Sequence, residues 1–383
     1  MNKKIKLGLA ALLLASVVVP FIRTAEPDEY LMYIGTYTRN ASKGIYAYRF
    51  QPSAGRAVSL GLAAESVNPS FIVVHPNRRF LYAVNEVSNY EGKNGYVSAF
   101  SVDAKTGRLS FLNRVSSGGS DPCHLVIDKS GKWLMVANYS SGSVAALAIE
   151  KDGKLGKPSA LIRHSGSGVN PRRQEGPHAH CVVLSPDNRY LLVSDLGLDK
   201  VMLYRFDAVR GALEPNDPPF VKVSPGSGPR HLSFHPSGRF AYQINELSST
   251  LTSFAYDSKI GNLKEIQTVS SLPPGFRGSN TAAELSVHPN GKVVYGSNRG
   301  HDSIAVFSIG DKGMVTPVGY VLTQGKVPRH FAIDPTGNFL LAANQDSDSV
   351  VVFRINDKTG TLVSMGTVLQ VPNPVCVAFV PLR

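Results

Sequence analysis

The chain has 383 residues, 43% of them hydrophobic, and a formal net charge of +12. Its Lys and Arg residues are scattered through turns with no run of roughly five or six, which argues against a nucleic-acid face and leaves a solvated surface or a small anionic ligand. Its cysteines, Cys123, Cys181 and Cys376, are odd in number and far apart, and no Cys-x-x-Cys pair occurs, so a disulfide framework is not expected.

In chain order, the first segment is MNKKIKLGLAALLLASVVVPFIRTA, residues 1–25. Lys3, Lys4 and Lys6 precede an apolar run from Leu7 to Val19, then Pro20 and a small-residue site at Thr24-Ala25. That is the layout of a secretory signal peptide, and the run is shorter than the roughly 20 residues of a bilayer span. Arg23 sits awkwardly at the cleavage site, so an uncleaved N-terminal anchor is the alternative. The expected product is an exported domain, residues 26–383, periplasmic or extracellular, with no stable membrane insertion after cleavage. Losing the four positive charges of Lys3, Lys4, Lys6 and Arg23 lowers +12 to +8, so the domain stays basic.

The rest of the chain is a repeat. VVHPNRRFLYAVNE (from Val73), VIDKSGKWLMVANY (Val126), VLSPDNRYLLVSDL (Val183), FHPSGRFAYQINE (Phe234), VHPNGKVVYGSNR (Val287) and AIDPTGNFLLAANQ (Ala332) align on anchors at 75, 128, 185, 235, 288 and 334. Each copy holds a short apolar strand, a Pro/Gly/Asn turn and an aromatic-rich strand. Ten residues past the anchor it stops at Asn85, Asn138, Asp195, Asn245, Asn298 or Asn344, short polar side chains that can bond nearby backbone. A third strand follows, as in GYVSAFSVD or DSVVVFRIN, and then a weaker fourth. Period-two alternation in four strands predicts an antiparallel sheet per repeat. A spacing of 46 to 57 residues is that of a propeller.

The ends complete the count. KGIYAYRFQPSAGRAV, from Lys43 to Val58, reads as a third and fourth strand lacking a first, and NPVCVAFVP, from Asn373 to Pro381, as a first strand lacking the rest. Joined in one blade they close the ring and remove its open edge. The expected fold is all-β, a seven-bladed β-propeller of four-stranded antiparallel blades.

In such a ring the first strand of each blade lines the channel, and the hairpin brings the end of the second strand back to the same mouth. Four residues before the anchors stand Phe71, His124, Cys181, His231, Glu284, His330 and Cys376, and one place earlier His180, Arg230 and Arg329. Eleven residues after the anchors stand Glu86, Tyr139, Leu196, Glu246, Arg299 and Gln345. Folding therefore gathers His, Glu and Arg from distant parts of the chain into one funnel. The insertion SGSGVNPRRQEGPHAHC, Ser165 to Cys181, enters on the same face and is denser in charge than a connector requires. His178 and His180 share one side of an extended segment, but two histidines fall short of a metal site. No metal and no cofactor is expected.

On NPRRQEGPHAH (170–180), GPRHLSFHP (228–236), INELSS (244–249), AELSVHP (283–289) and SNRGHDSIAVF (297–307), the chain resembles the lactonase family of seven-bladed propellers, which includes 6-phosphogluconolactonases and carboxymuconate lactonizing enzymes. The resemblance spans residues 30 to 383. It implies hydrolysis of a sugar-derived lactone, with Arg173, Glu175, His178, His180, Arg230, His231, Glu246, Glu284 and Arg299 as the family's site positions. An exported chain departs from the cytoplasmic setting of a phosphosugar substrate.

Opening a lactone needs a base for water, a group to hold the tetrahedral oxyanion and a proton donor for the leaving alkoxide. The expectation is metal-independent: His180 or His231 as base or acid, tuned by Glu246 or Glu284. Arg173, Arg230 and Arg299 would bind the oxyanion and anionic groups as guanidinium forks. Glu175, His178, His124, Arg329 and His330 complete the expected substrate contacts. A lactonizing isomerase would use the same residues, and a non-catalytic envelope-binding propeller shares the fold. SGSGV (165–169) lacks the helix of a nucleophile elbow, and SSGGSD (116–121) lacks that of a phosphate loop. The partner expected is a small anionic lactone, with no nucleic acid; the oligomeric state stays open.

Overall fold

A computed structural model describes residues 29–88 and 95–382. The segment 1–25, read above as an export signal, lies outside the described residues. The strands form seven four-stranded antiparallel sheets. We number the blades by their innermost strands: Ile72–Val74 (blade 1), Pro122–Ile127 (2), Ala179–Leu184 (3), Pro229–Phe234 (4), Thr281–Val287 (5), Pro328–Ile333 (6) and Pro374–Pro381 (7). Among the described residues no helix is long and apolar enough to cross a membrane.

Burial explains the sequence pattern of each blade. Second strands such as Phe80–Asn85 and Tyr190–Asp195 are buried throughout, because both faces of a blade press on neighbours. Fourth strands such as Arg56–Glu65 form the outer wall and are largely exposed. Seven apolar clusters fill the seams between adjacent blades. Each fully buried Leu or Phe there contributes roughly 1.5–3 kcal/mol. The outer turns interlock as well: Gly153, at φ 85°, lies on the Phe80 ring of the preceding blade, where a Cβ would come within 2.3 Å. The glycines trailing the third strands thus serve both the turn and the seam.

The ring closes as the terminal half-repeats predict. Pro374–Pro381 pairs antiparallel with Tyr30–Thr36, which pairs with Gly44–Gln51, and Arg56–Glu65 completes the sheet. Tyr30–Thr36 supplies a second strand that the sequence reading passed over, because it ends in Thr rather than Asn. The Thr36 hydroxyl meets the same need, donating to the Gly44 carbonyl at 2.6 Å. In blades 2, 5 and 6 the stop residue's Nδ2 donates to a carbonyl just past the preceding fourth strand: Asn138 to Ser117, Asn298 to Ser271 and Asn344 to Thr323.

Candidate active site

Strict alternation would send adjacent residues of an innermost strand to opposite faces, so Arg230 and His231 could not both face the channel. A register shift resolves this in blade after blade. It falls between Pro122 and His124, Ala179 and Cys181, Pro229 and His231, Ala282 and Leu285, and Pro328 and His330. The extra residue of a bulge re-aims its own side chain. Cys123, His180, Arg230 and Arg329 occupy that extra position, one layer above His124, Cys181, His231 and His330.

The upper layer frames a mouth of about 360 Å³ lined by Tyr37, Glu86, Cys123, Tyr139, Arg173, His180, Glu246, Thr281, Arg299 and Arg329. Three arginines converge on Glu246. Arg173 Nη2 lies 2.7 Å from Oε1, while Arg230 Nε and Arg299 Nη2 lie 3.0 and 2.9 Å from Oε2. Burial by itself raises the Glu246 carboxyl, but Arg299, Arg230 and Arg173 override it and hold the group at about 2. Arg230 also donates from Nη1 to the Ala283 carbonyl at 2.6 Å. Burial, with Arg299 and Arg329 close by, lowers Arg230 to about 10, so it remains charged at neutral pH.

Across the mouth, Glu86 accepts the Tyr37 hydroxyl at 2.8 Å and the Ser70 hydroxyl. Arg329 lies over the Tyr37 ring, 5.2 Å from its centroid, and 3.9 Å from Glu86. Tyr37 was missed from sequence because it follows the unrecognised second strand of blade 7. Cys123 and Thr281 carry no signal beyond their phase in the repeat.

Below the mouth the side chains four residues before the anchors meet across the waist of the channel. Phe71 packs on His124, His231 and His330 at centroid distances of 4.1, 6.1 and 5.9 Å. Glu284 joins two histidines, lying 3.1 Å from His231 Nδ1 and 3.3 Å from His330 Nε2. A carboxylate only accepts, so Nδ1 of His231 carries the hydrogen, and its Nε2 is buried with no hydrogen-bond partner. Burial raises Glu284 and lowers His231 and His124 well below their ordinary value, with Arg230 adding to the effect on both. Burial takes His330 to about 4 against the pull of Glu284. Cys181 and Cys376 complete this layer, against His124 and His330.

The expected site residues thus separate by depth. His180, Arg173, Glu246, Arg299 and Arg329 reach the wall of the mouth; Arg230 lies behind Glu246, and His124, His231, Glu284 and His330 lie beneath. His180 stands between the levels, edge-on to Tyr139 at 5.5 Å and to His231 at 5.2 Å. Burial, then Arg230 and His231, push it well below the usual histidine range, so it is neutral at pH 7. His178 instead stacks flat on Tyr139 at 4.5 Å, and Glu175, 59% exposed in its side chain, lies 3.2 Å from it on the rim. Of the two carboxyls expected to tune a histidine, Glu246 contacts arginines, and Glu284 contacts His231 and His330. Among the described residues no group of three His, Cys, Asp or Glu could hold a metal ion.

The sequence profile of the family described as "Lactonase, 7-bladed beta-propeller" matches residues 31–379. The 6-phosphogluconolactonase of Bacillus subtilis is 36% identical over 352 residues, covering 92% of this chain and 98% of the relative. A protein of the same name from Formosa agariphila is 36% identical over 309 residues, 79% of this chain and 86% of the relative. Among solved structures, the periplasmic gluconolactonase of Pseudomonas aeruginosa superimposes with a TM-score of 0.87 at 36% identity, covering 93% of this chain and 100% of that one.

Proposed function

The chain belongs to the lactonase family of seven-bladed β-propellers, and we propose that it hydrolyses a sugar-derived lactone in the channel mouth, using His180 for proton transfer. The observation that carries this reading is the position of His180: a neutral imidazole, and the one histidine, in the wall of a cavity lined besides by arginines, glutamates, tyrosines, Cys123 and Thr281.

Neutral His180 takes a proton from water as the water oxygen bonds to the lactone carbonyl carbon. The carbonyl electron pair becomes an oxyanion, stabilised by the guanidinium groups of Arg173, Arg299 or Arg329. On collapse the ring C–O bond breaks, and the proton on His180 passes to the departing alkoxide. The product is a hydroxy acid, which releases its acidic proton to solvent. Tyr37, Tyr139, Glu86 and Thr281 supply donors and acceptors for sugar hydroxyls. His231, held by Glu284, supports His180 from beneath.

Location favours an uncharged lactone over its phosphate ester, and charge balance does not choose between them: Arg173, Arg230, Arg299 and Arg329 face only Glu86 and Glu246, a surplus of two positive charges that accommodates either. The periplasmic location of the Pseudomonas relative and the lysine-led apolar start of this chain support action outside the cytoplasm.

The test is acid release from D-glucono-1,5-lactone and from its 6-phosphate. Turnover should favour the unphosphorylated lactone, and His180→Ala should lower kcat by about 10²–10⁴ with little change in melting temperature. Wild-type turnover in His180→Ala would remove the histidine from the mechanism, and no turnover of either lactone would favour a binding propeller.

A further inference from the structure

Five of the six stop residues are Asn and one is Asp, and the exception has a matching exception opposite it. The residue just past the preceding fourth strand is Ser66, Ser117, Ser271 or Thr323 in four blades and Val223 or Val371 in two, but ahead of blade 3 it is His164, which alone among them is ionisable. There His164 Nδ1 lies 2.5 Å from Asp195 Oδ2, and His164 Nε2 lies 2.9 Å from the Tyr204 hydroxyl. Both side chains are buried, at 1% and 0% exposure. Asp195 Oδ1 is fully used as well, accepting the backbone N–H groups of His178, Gly197 and Leu198 at 2.8, 3.1 and 3.1 Å. The corresponding oxygen of Asn138, Asn245 and Asn344 has no hydrogen-bond partner.

Four donors on one side chain explain why an acid stands here. An amide would accept at one atom only and turn its own N–H₂ toward His164; a carboxylate accepts on both sides, and its charge strengthens each bond. The exchange falls where the chain departs from the repeat, at the segment from Ser165 to Pro177 between blades 2 and 3. That segment is bolted to the same strand end a second time, by Gln174 Nε2 donating to the Leu196 carbonyl at 2.9 Å. The residue beside Gln174 is Arg173, which reaches Glu246 and, at 3.2 Å, the Tyr139 hydroxyl.

We propose that the His164–Asp195 pair is the post that fixes the Ser165–Pro177 segment, making Asp195 a positioning residue that acts on substrate through Arg173. Only the kinetic arm of the test rests on the lactone-hydrolysis reading. The variants are Asp195→Asn, the double variant His164→Ser/Asp195→Asn, which installs the pair used in blades 2 and 5, Arg173→Ala, and Arg173→Ala/Asp195→Asn. Without substrate, tryptic cleavage after Arg172 and Arg173, followed by mass spectrometry, should speed up about ten-fold in Asp195→Asn and in the Ser/Asn double variant. The Ser/Asn variant should melt within about 2 °C of wild type, since blades 2 and 5 are held by that pair.

With D-glucono-1,5-lactone, KM should rise about five- to ten-fold in Asp195→Asn while kcat changes less, and the same substitution in the Arg173→Ala background should add less than about two-fold. A Ser/Asn variant with wild-type proteolysis and wild-type KM would make the pair mere scaffold. Multiplying effects of Asp195→Asn and Arg173→Ala would show that Asp195 does not act through Arg173. If Asp195→Asn alone does not fold, the Ser/Asn variant carries both measurements. A wild type inert toward lactones would refute the functional reading and leave the proteolysis result to decide the post.

Discussion

Replacing Glu246 by Gln keeps the side chain's shape and removes its charge. Arg173, Arg230 and Arg299 would then face one another with no anion between them. A hydrogen bond to a charged group, such as Arg173 makes with Glu246, contributes about 1.5–3 kcal/mol. Arg173 is 39% exposed in its side chain, so its share is screened to below about 1 kcal/mol. Arg230 and Arg299, at 2% and 13%, are not relieved by water in this way. Both share the one Glu246 oxygen, so its loss breaks a single buried network, at a cost of about 3–5 kcal/mol, and about 4 kcal/mol is expected in all. Unfolding entropy near 2.1 cal/mol/K per residue over about 350 residues is about 0.7 kcal/mol/K, which converts the loss into a fall of about 5 °C in Tm. Scanning calorimetry near pH 7.5 measures it. Sulfate or inorganic phosphate should recover part of the loss by sitting among the three guanidinium groups, an effect absent from wild type. A Glu246→Gln protein melting within about 1 °C of wild type, with no anion dependence, would refute the account of the clamp.

Two further outcomes follow from the same geometry. The folded protein holds His330 near 4 whereas the unfolded chain takes up that proton near 6.5, so its stabilisation is complete above pH 6.5 and lost as pH falls toward 4, by about 3 kcal/mol at most. Tm should therefore drop between pH 7 and 5, before Glu246, whose contribution is complete above 4.5 and is lost as pH falls from there toward about 2, begins to weaken; a flat Tm over that interval would contradict it. Deleting residues 373–383 removes the innermost strand of blade 7 and bares the Tyr30–Thr36 edge, so the truncated chain should be insoluble or markedly less stable; an unchanged Tm would reject ring closure.

The blade count was legible because one hairpin recurs with its Asn stop in phase, and phase alone places a residue on the channel. Arg230, His231, Glu246 and Arg299 could therefore be grouped before any coordinates. Phase does not give depth, which depends on the bulges at the start of the innermost strands. That is why His180 and His231 looked equivalent in sequence and lie at different levels. Nor does phase give partners: Glu246 looked like a companion for histidine, and only the reach of Arg173 across from its insertion shows what encloses it. Tyr37 escaped notice since Thr36 does the work of Asn in a form the repeat pattern does not display. Asp195 was visible as a stop residue, but its meaning required seeing His164 opposite.

The packed waist of Phe71, His124, His231, Glu284 and His330 turns what could have been a bore through the ring into a blind well. Reactant and product must share one door. In the proposed reaction a hydroxy acid leaving the well would carry a fresh carboxylate past Arg173, Arg299 and Arg329, the groups that line the way in, so spent product would compete directly with the next lactone. A polymer cannot be threaded through and read along its length; only a compact molecule, or the end of a longer one, can reach the bottom.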